Sequence, residues 1–146
     1  MLGDLQGLRA LDLFAGSGAL GIEALSRGAR RAVFVEHAPA ALAALRANLA
    51  ELGVTSEQAE VRAQEALAAI RTASARRETY DLVFIDPPYR RATDLGPELS
   101  ATLPTLLSPD GRVVAESDRR NPLELELACD RERRYGDTLI RILHIP

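Results

Sequence analysis

The residues Asp86-Pro87-Pro88-Tyr89 follow directly on an apolar run, Tyr80 to Ile85, and their types suit one kind of chemistry. Two successive prolines fix the backbone and remove two amide donors, which leaves carbonyl acceptors at the end of the run. An exocyclic amino group on a nucleic-acid base needs such acceptors. Its lone pair is delocalised into the ring, and accepting its N–H groups on the Asp86 carboxylate and the Pro87 carbonyl would orient it toward an electrophilic methyl carbon. Tyr89 could stack on the face of the base. The matching reaction is an in-line displacement, in which alignment of the two reactants supplies roughly 7–11 kcal/mol of the barrier. A base paired inside a helix cannot present its amino group, so the target is expected single-stranded, in a loop or flipped out. Arg90 and Arg91 come next in the chain, where at least one is expected to touch substrate phosphate.

A donor for the methyl group is expected at the first glycine loop. Gly16-Ser17-Gly18-Ala19-Leu20-Gly21 matches the G-x-G-x-x-G pattern with which dehydrogenases bring a pyrophosphate to a helix N-terminus. Asp12, just ahead of the loop, sits awkwardly with that ligand. A carboxylate there suits the positively charged methionine portion of S-adenosylmethionine instead. Glu36 ends the second apolar run, where a carboxylate can accept both ribose hydroxyls. His37 could edge the adenine, although a surface histidine is the simpler reading. Glu65 could accept from the adenine amino group, and it has an equally good reason to begin a helix. The expected cofactor set is therefore Asp12, Phe14, Ala15, Gly16, Ser17, Gly18, Glu36, His37, Glu65 and Ala66, with Asp86, Pro87, Pro88 and Tyr89 catalytic and Arg90 and Arg91 on the substrate.

Strand and helix must alternate to bring these residues together. Arg9 to Phe14 reads as a strand, Ala15 to Gly18 as a turn, and a helix follows to about Arg27, where Gly28 can stop it. Ala32 to Val35 is a second strand, and Pro39 opens a helix with Leu42, Leu45, Leu49 and Leu52 on one stripe, closed by Gly53. A weak strand near Ala59 to Ala63, a short helix from Glu65 to about Arg71 and a strand from Tyr80 to Ile85 continue the pattern. Asp94 to Leu107 reads as a helix kinked or split at Pro104, Ser108 to Gly111 as a turn, and Arg112 to Glu116 as a fifth strand. Leu123 to Leu127, alternating Leu with Glu, and Thr138 to Ile145, beyond a turn at Tyr135-Gly136-Asp137, fit a closing hairpin. This predicts an α/β, Rossmann-like fold: one domain over 1–146 with a mostly parallel sheet, helices on both faces and a C-terminal antiparallel hairpin. Ligands in such sheets sit beyond the carboxyl ends of the strands, where Asp12 to Gly18, Glu36, Gln64-Glu65 and Asp86 to Tyr89 should converge.

Composition narrows the classes further. The single cysteine, Cys129, excludes an internal disulfide and a zinc site built on paired cysteines, and His37 and His144 have no metal-ligand spacing around them. No metal is expected. No apolar run approaches the ~18 residues that span a bilayer, and no export signal is visible at Met1 to Leu5; a soluble, cytoplasmic monomer is expected. The net charge of −3 argues against a non-specific nucleic-acid binder. All the basic residues are arginines. Arg76-Arg77, Arg119-Arg120 and Arg131 with Arg133-Arg134 read first as solvated faces, and only Arg90-Arg91 gains weight from its neighbours.

Leu11 to Gly21, Glu23 to Ala29, Asp86 to Tyr89 and Tyr135-Gly136-Asp137-Thr138 together resemble the RsmD-type 16S rRNA guanine-N2 methyltransferases, over nearly the whole chain. The resemblance implies S-adenosylmethionine as cofactor and S-adenosylhomocysteine as product, with Glu36 in the cofactor site and Glu65 near the adenine. It also implies a guanine amino group at Asp86 to Tyr89, and ribosomal RNA or a small-subunit particle as partner. Asp-Pro-Pro-Tyr is shared with many DNA adenine methyltransferases, so adenine-N6 methylation of DNA or RNA stays open, as does a non-catalytic module of this fold. The family usually carries a β-hairpin and a helix before the first strand. Met1 to Gly7 looks like the tail of that helix, and the sequence as it stands is expected to fold and bind S-adenosylhomocysteine but to methylate RNA poorly.

Overall fold

The computed structural model describes residues 3–88 and 92–146. Its sheet begins with β1 (Arg9–Asp12), whose last three residues are buried because both edges are occupied. β1 pairs in parallel with β2 (Arg31–Glu36) on one side and with β4 (Tyr80–Ile85) on the other. β3 (Ala59–Ala63) extends the first side, and β5 (Leu107–Asp118) lies parallel to β4 on the second. Two antiparallel strands, β6 (Ala128–Tyr135) and β7 (Thr138–His144), complete the order β3-β2-β1-β4-β5-β7-β6. The chain therefore winds outward from β1 through β2 to β3 and then returns to β4. The switch point between β1 and β4 opens a crevice at their carboxyl ends.

Among the described residues four helices cover the two faces, and the side-chain alternation of the strands sorts the core between them. Leu11, Val33, Val83 and Ile85 pack with Ile70 of α3 (Ala66–Ala75) and with Leu95, Leu99, Leu103 and Leu106 of α4 (Ala92–Leu106). Ala10, Ala32, Phe34, Leu82 and Phe84 point the other way, to Ala24 of α1 (Ala19–Ser26) and to Leu45 and Leu49 of α2 (Pro39–Glu51). Among the described residues no helix is long and apolar enough to cross a membrane.

Several boundaries depart from the sequence reading. The α2 stripe ends at Leu49: Leu52 is the C-cap and 62% exposed, because Gly53, at φ +68°, turns the chain out of the helix. The Gly53 and Val54 amides donate back to the Ala50 and Leu49 carbonyls, a Schellman closure. α3 runs on to Ala75, since burying Ala73 extends the packed face beyond Arg71. Pro97 and Pro104 both lie inside α4, where four buried leucines outweigh the lost amides. β5 absorbs the expected turn at Ser108 to Gly111 through a shift in its register against β4 between Tyr80 and Leu82. The first strand of the closing hairpin is β6, not Leu123 to Leu127. Leu123 is buried and Leu125 and Leu127 half-buried against the α3–α4 core, so these leucines anchor a connection without joining a ladder.

Candidate active site

The carboxyl ends of β1, β2, β3 and β4 surround a cavity of about 310 Å3, walled by Phe14, Glu36, His37, Gln64, Ala66, Asp86, Pro87 and Pro88, with Leu13 and Val35 beneath. Seven of the residues expected at the site thus line one space. The glycine loop, Ala15 to Gly18, is pinned to its rim by the Ala15 amide, which donates to the Val35 carbonyl at 2.9 Å, and is closed on itself by the Gly18 amide, which donates to the Ala15 carbonyl at 2.8 Å. Asn48 Nδ2 donates to the Ser17 carbonyl at 3.0 Å, a brace that no sequence motif marked. Gly18 has to be glycine, because its φ is +94° and a Cβ there would lie 2.5 Å from Leu45 Cδ1. Gly21 lies directly against the Phe34 ring. These two glycines serve helix–sheet packing, whereas a Cβ on Gly16 would meet open space.

Asp12 is the one buried charged residue among the described residues, at 1% exposure. Its Oδ2 accepts from the Gly21 amide at 3.2 Å, in the first turn of α1, and its Oδ1 is buried without a hydrogen-bond partner among the described residues. Burial pushes its pKa up to about 7; the Gly21 amide opposes this, as does the Phe14 amide from outside hydrogen-bond geometry, and the nearby charges of Asp86 and Glu36 add to it. A buried acceptor with no donor calls for a cation or donor from outside the chain.

Glu36 is in the opposite condition. Burial raises its pKa, but the amides of Ala38, Gly16 and His37 more than offset that and hold it below the ordinary glutamate range. Oε1 accepts from Gly16 at 2.9 Å, and Oε2 accepts from His37 at 2.9 Å and Ala38 at 3.0 Å. Glu36 therefore clamps the glycine loop while keeping acceptor capacity toward the cavity. Glu65 is the N-cap of α3 and accepts from the Leu67 amide at 3.4 Å; its neighbours Gln64 and Ala66 form the wall.

Asp86 follows β4, its side chain exposed, with Pro87 buried beside it. Partial loss of water and the charge of Glu116 push its pKa up to about 6. A second cavity of about 220 Å3 opens on its other side, lined by Glu116, Ser117 and Asp118 from β5 and by Asp137 and Thr138 from the β6–β7 turn. Asp86 and Pro87 line both spaces. The sequence reading did not single out these second-cavity residues for the site, although Glu116 closes the fifth strand expected from the sequence, and its position in the alternation was the available signal. Tyr89, Arg90 and Arg91 lie outside the described residues.

Comparison with known proteins agrees with this architecture. The family model described as Conserved hypothetical protein 95 matches residues 1–144. The putative rRNA methyltransferase YlbH of Bacillus subtilis (strain 168) is 38% identical over 144 residues, covering 93% of this chain and 75% of that protein. The ribosomal RNA small subunit methyltransferase D of Haemophilus influenzae is 36% identical over 115 residues, covering 77% of this chain and 58% of that one. Among solved structures, a conserved hypothetical protein of Streptococcus pyogenes superposes with a TM-score of 0.84 at 35% identity, over 97% of this chain and 88% of that chain. The putative methyltransferase yhhF of Escherichia coli gives 0.77 at 30% identity, over 95% and 76%. A pinned glycine loop, the carboxylates at the strand ends and this match from end to end lead to one assignment: the chain belongs to the Conserved hypothetical protein 95 family, that of the RsmD-type rRNA methyltransferases.

Proposed function

We propose that the chain transfers a methyl group from S-adenosylmethionine to the exocyclic amino group of a guanine in small-subunit ribosomal RNA, acting as a cytoplasmic monomer without a metal. The observation that carries this reading is that two cavities meet at Asp86 and Pro87. One has the depth and polar rim for a nucleoside cofactor, and the other is open toward a base. The residues present fit the cofactor: Asp12 offers a buried, unpartnered oxygen to its amino-acid cation, Glu36 offers acceptor capacity to its ribose, and Gly16 leaves the backbone open to close approach. When bound, S-adenosylmethionine supplies an electrophilic methyl group. Asp86 and the Pro87 carbonyl hold the amino N–H groups, and Asp86, with its pKa near 6, is ionised at neutral pH and can take up the proton the amine must release. The Bacillus and Haemophilus relatives, each an rRNA methyltransferase by name, support rRNA as the substrate.

The test is methyl incorporation into small-subunit rRNA by the wild-type chain and by Asp86→Ala, with S-adenosylhomocysteine affinity measured alongside. Incorporation should be lost in the variant while cofactor affinity stays within a few-fold. Full turnover by Asp86→Ala would end the assignment. Tyr89→Ala should weaken base stacking by roughly 1–3 kcal/mol, and Arg90→Ala with Arg91→Ala should reduce the salt dependence of RNA binding.

A further inference from the structure

The edge strand β6 carries a cationic trough, and the turn at its end belongs to the candidate active site. It is an open depression of about 470 Å3 lined by Arg131, Glu132, Arg133, Arg134 and Tyr135, all exposed. β6 pairs only with β7 in the described sheet, so its outer edge also presents backbone amides. The trough's one acid is already engaged: Glu132 accepts from Arg141 Nε at 2.9 Å and stands 3.8 Å from Arg134 Nη2. Arg131 lies opposite Ile142 and Arg133 opposite Ile140. These two arginines therefore share one face of the sheet, about 7 Å apart along the strand. Among the described residues neither guanidinium has an ion-pair or hydrogen-bond partner, whereas Arg119 and Arg120 are engaged by Asp118 and Asp137.

The chain runs directly from the trough into the wall of the site's second cavity. Tyr135, 57% exposed, ends β6, and Gly136, at φ +59°, turns the chain into Asp137 and Thr138. Those two residues line the cavity that Asp86 and Pro87 share. We propose that β6 holds the single-stranded RNA flanking the target nucleotide, with Arg131 and Arg133 on neighbouring phosphates and Tyr135 stacked on a base next to the one at Asp86. This rests on the reading above that the substrate is RNA. The occupant follows from charge: a chain of net charge −3 leaves two adjacent cations unpaired on an open edge, and a polyanion that must already reach Asp86 is their complement. The rival role for such arginines is to block edge-to-edge pairing with another strand, and experiment separates the two.

The probe is a fluorescein-labelled single-stranded RNA of mixed sequence, bound across a salt series by the full chain and by Arg131→Ala with Arg133→Ala, while S-adenosylhomocysteine titration checks the fold. Single strands contribute about 0.7 to the salt slope per phosphate contact, so the double variant should lose about 1.4 and bind roughly tenfold more weakly at low salt. Arg131→Lys with Arg133→Lys should restore most of both, and Tyr135→Ala should weaken binding without changing the slope. Unchanged affinity and slope in the alanine variant would overturn the proposal, most plainly if that variant also self-associates, which would make the arginines edge guards. A wild-type chain that binds this RNA but methylates no rRNA would remove the proposed function and leave the trough. Methylation by a wild type whose double variant binds RNA equally well would remove the trough alone.

Discussion

Cofactor affinity should depend on pH in the wild-type chain, and replacing Asp12 by Asn should remove the part of that dependence that Asp12 carries. Burial, with the charges of Asp86 and Glu36, raises the Asp12 pKa from 3.8 to about 7 against the pull of the Gly21 and Phe14 amides. At about 1.4 kcal/mol per pH unit, ionising this carboxyl in the free chain costs about 4 kcal/mol more than in water. Below neutral pH the carboxyl is therefore mostly protonated, and a ligand that needs its anion must first displace the proton. Affinity for S-adenosylhomocysteine should then climb with pH toward about tenfold per unit from about pH 5 to about 7, and level off above. Calorimetry in two buffers of different protonation enthalpy should show release of up to one proton per ligand bound on the acid side and none on the alkaline side. Asp12→Asn should bind weakly at every pH and release no proton. A wild-type affinity that stays flat across this range would refute Asp12 as the partner of the cofactor's cation.

The same carboxyl couples pH to folding. The unfolded chain gives up this proton near 3.8 and the folded one near 7, so stability is fully present below the lower value and falls as pH rises through the window, by up to about 1.4 kcal/mol per unit. Urea midpoints should therefore be lower at pH 7.5 than at 5.5 in the wild type, and the difference should shrink in Asp12→Asn to the smaller part that Asp86, raised to about 6, contributes; equal wild-type midpoints would count against the linkage. Gly18→Ala meets both a φ of +94° and the Leu45 methyl and should cost about 1–3 kcal/mol of stability, so an unshifted Tm would show that the loop relaxes freely. Glu36→Gln removes the charge that holds three amides, which should lower stability by about 1–3 kcal/mol and weaken cofactor binding. If calorimetry shows unchanged affinity, Glu36 serves the loop alone.

Where the sequence reading went astray, a distant partner outweighed a local signal. Leu123 to Leu127 alternates as a strand does, yet its leucines anchor to the α3–α4 core. The strand that does pair, Ala128–Tyr135, is exposed and strongly charged, so no hydrophobic pattern announced it; its ladder with β7 is held by backbone bonds that any side chain permits. Glu65 has two readings in the sequence, and its bond to the Leu67 amide shows the helix-capping one in place.

Local chemistry made much of the candidate site legible before any fold was known. Glycines at 16, 18 and 21, acids at 12, 36 and 86 and paired prolines at 87 and 88 each carry a meaning that depends on backbone freedom, charge or a missing amide, and such meanings survive without tertiary context. What required the fold was every property set by neighbours remote in sequence. The orphaned oxygen of Asp12 depends on burial beneath a sheet and α1 together. The meeting of two cavities at Asp86 depends on β5 and the β6–β7 turn lying beside β4. The unpaired state of Arg131 and Arg133 depends on the ladder setting them opposite Ile142 and Ile140, with Glu132 turned to the other face beside Arg141. Burial, charge pairing and cavity shape are sums over contacts between distant segments, so they come into being only when the chain has closed on itself.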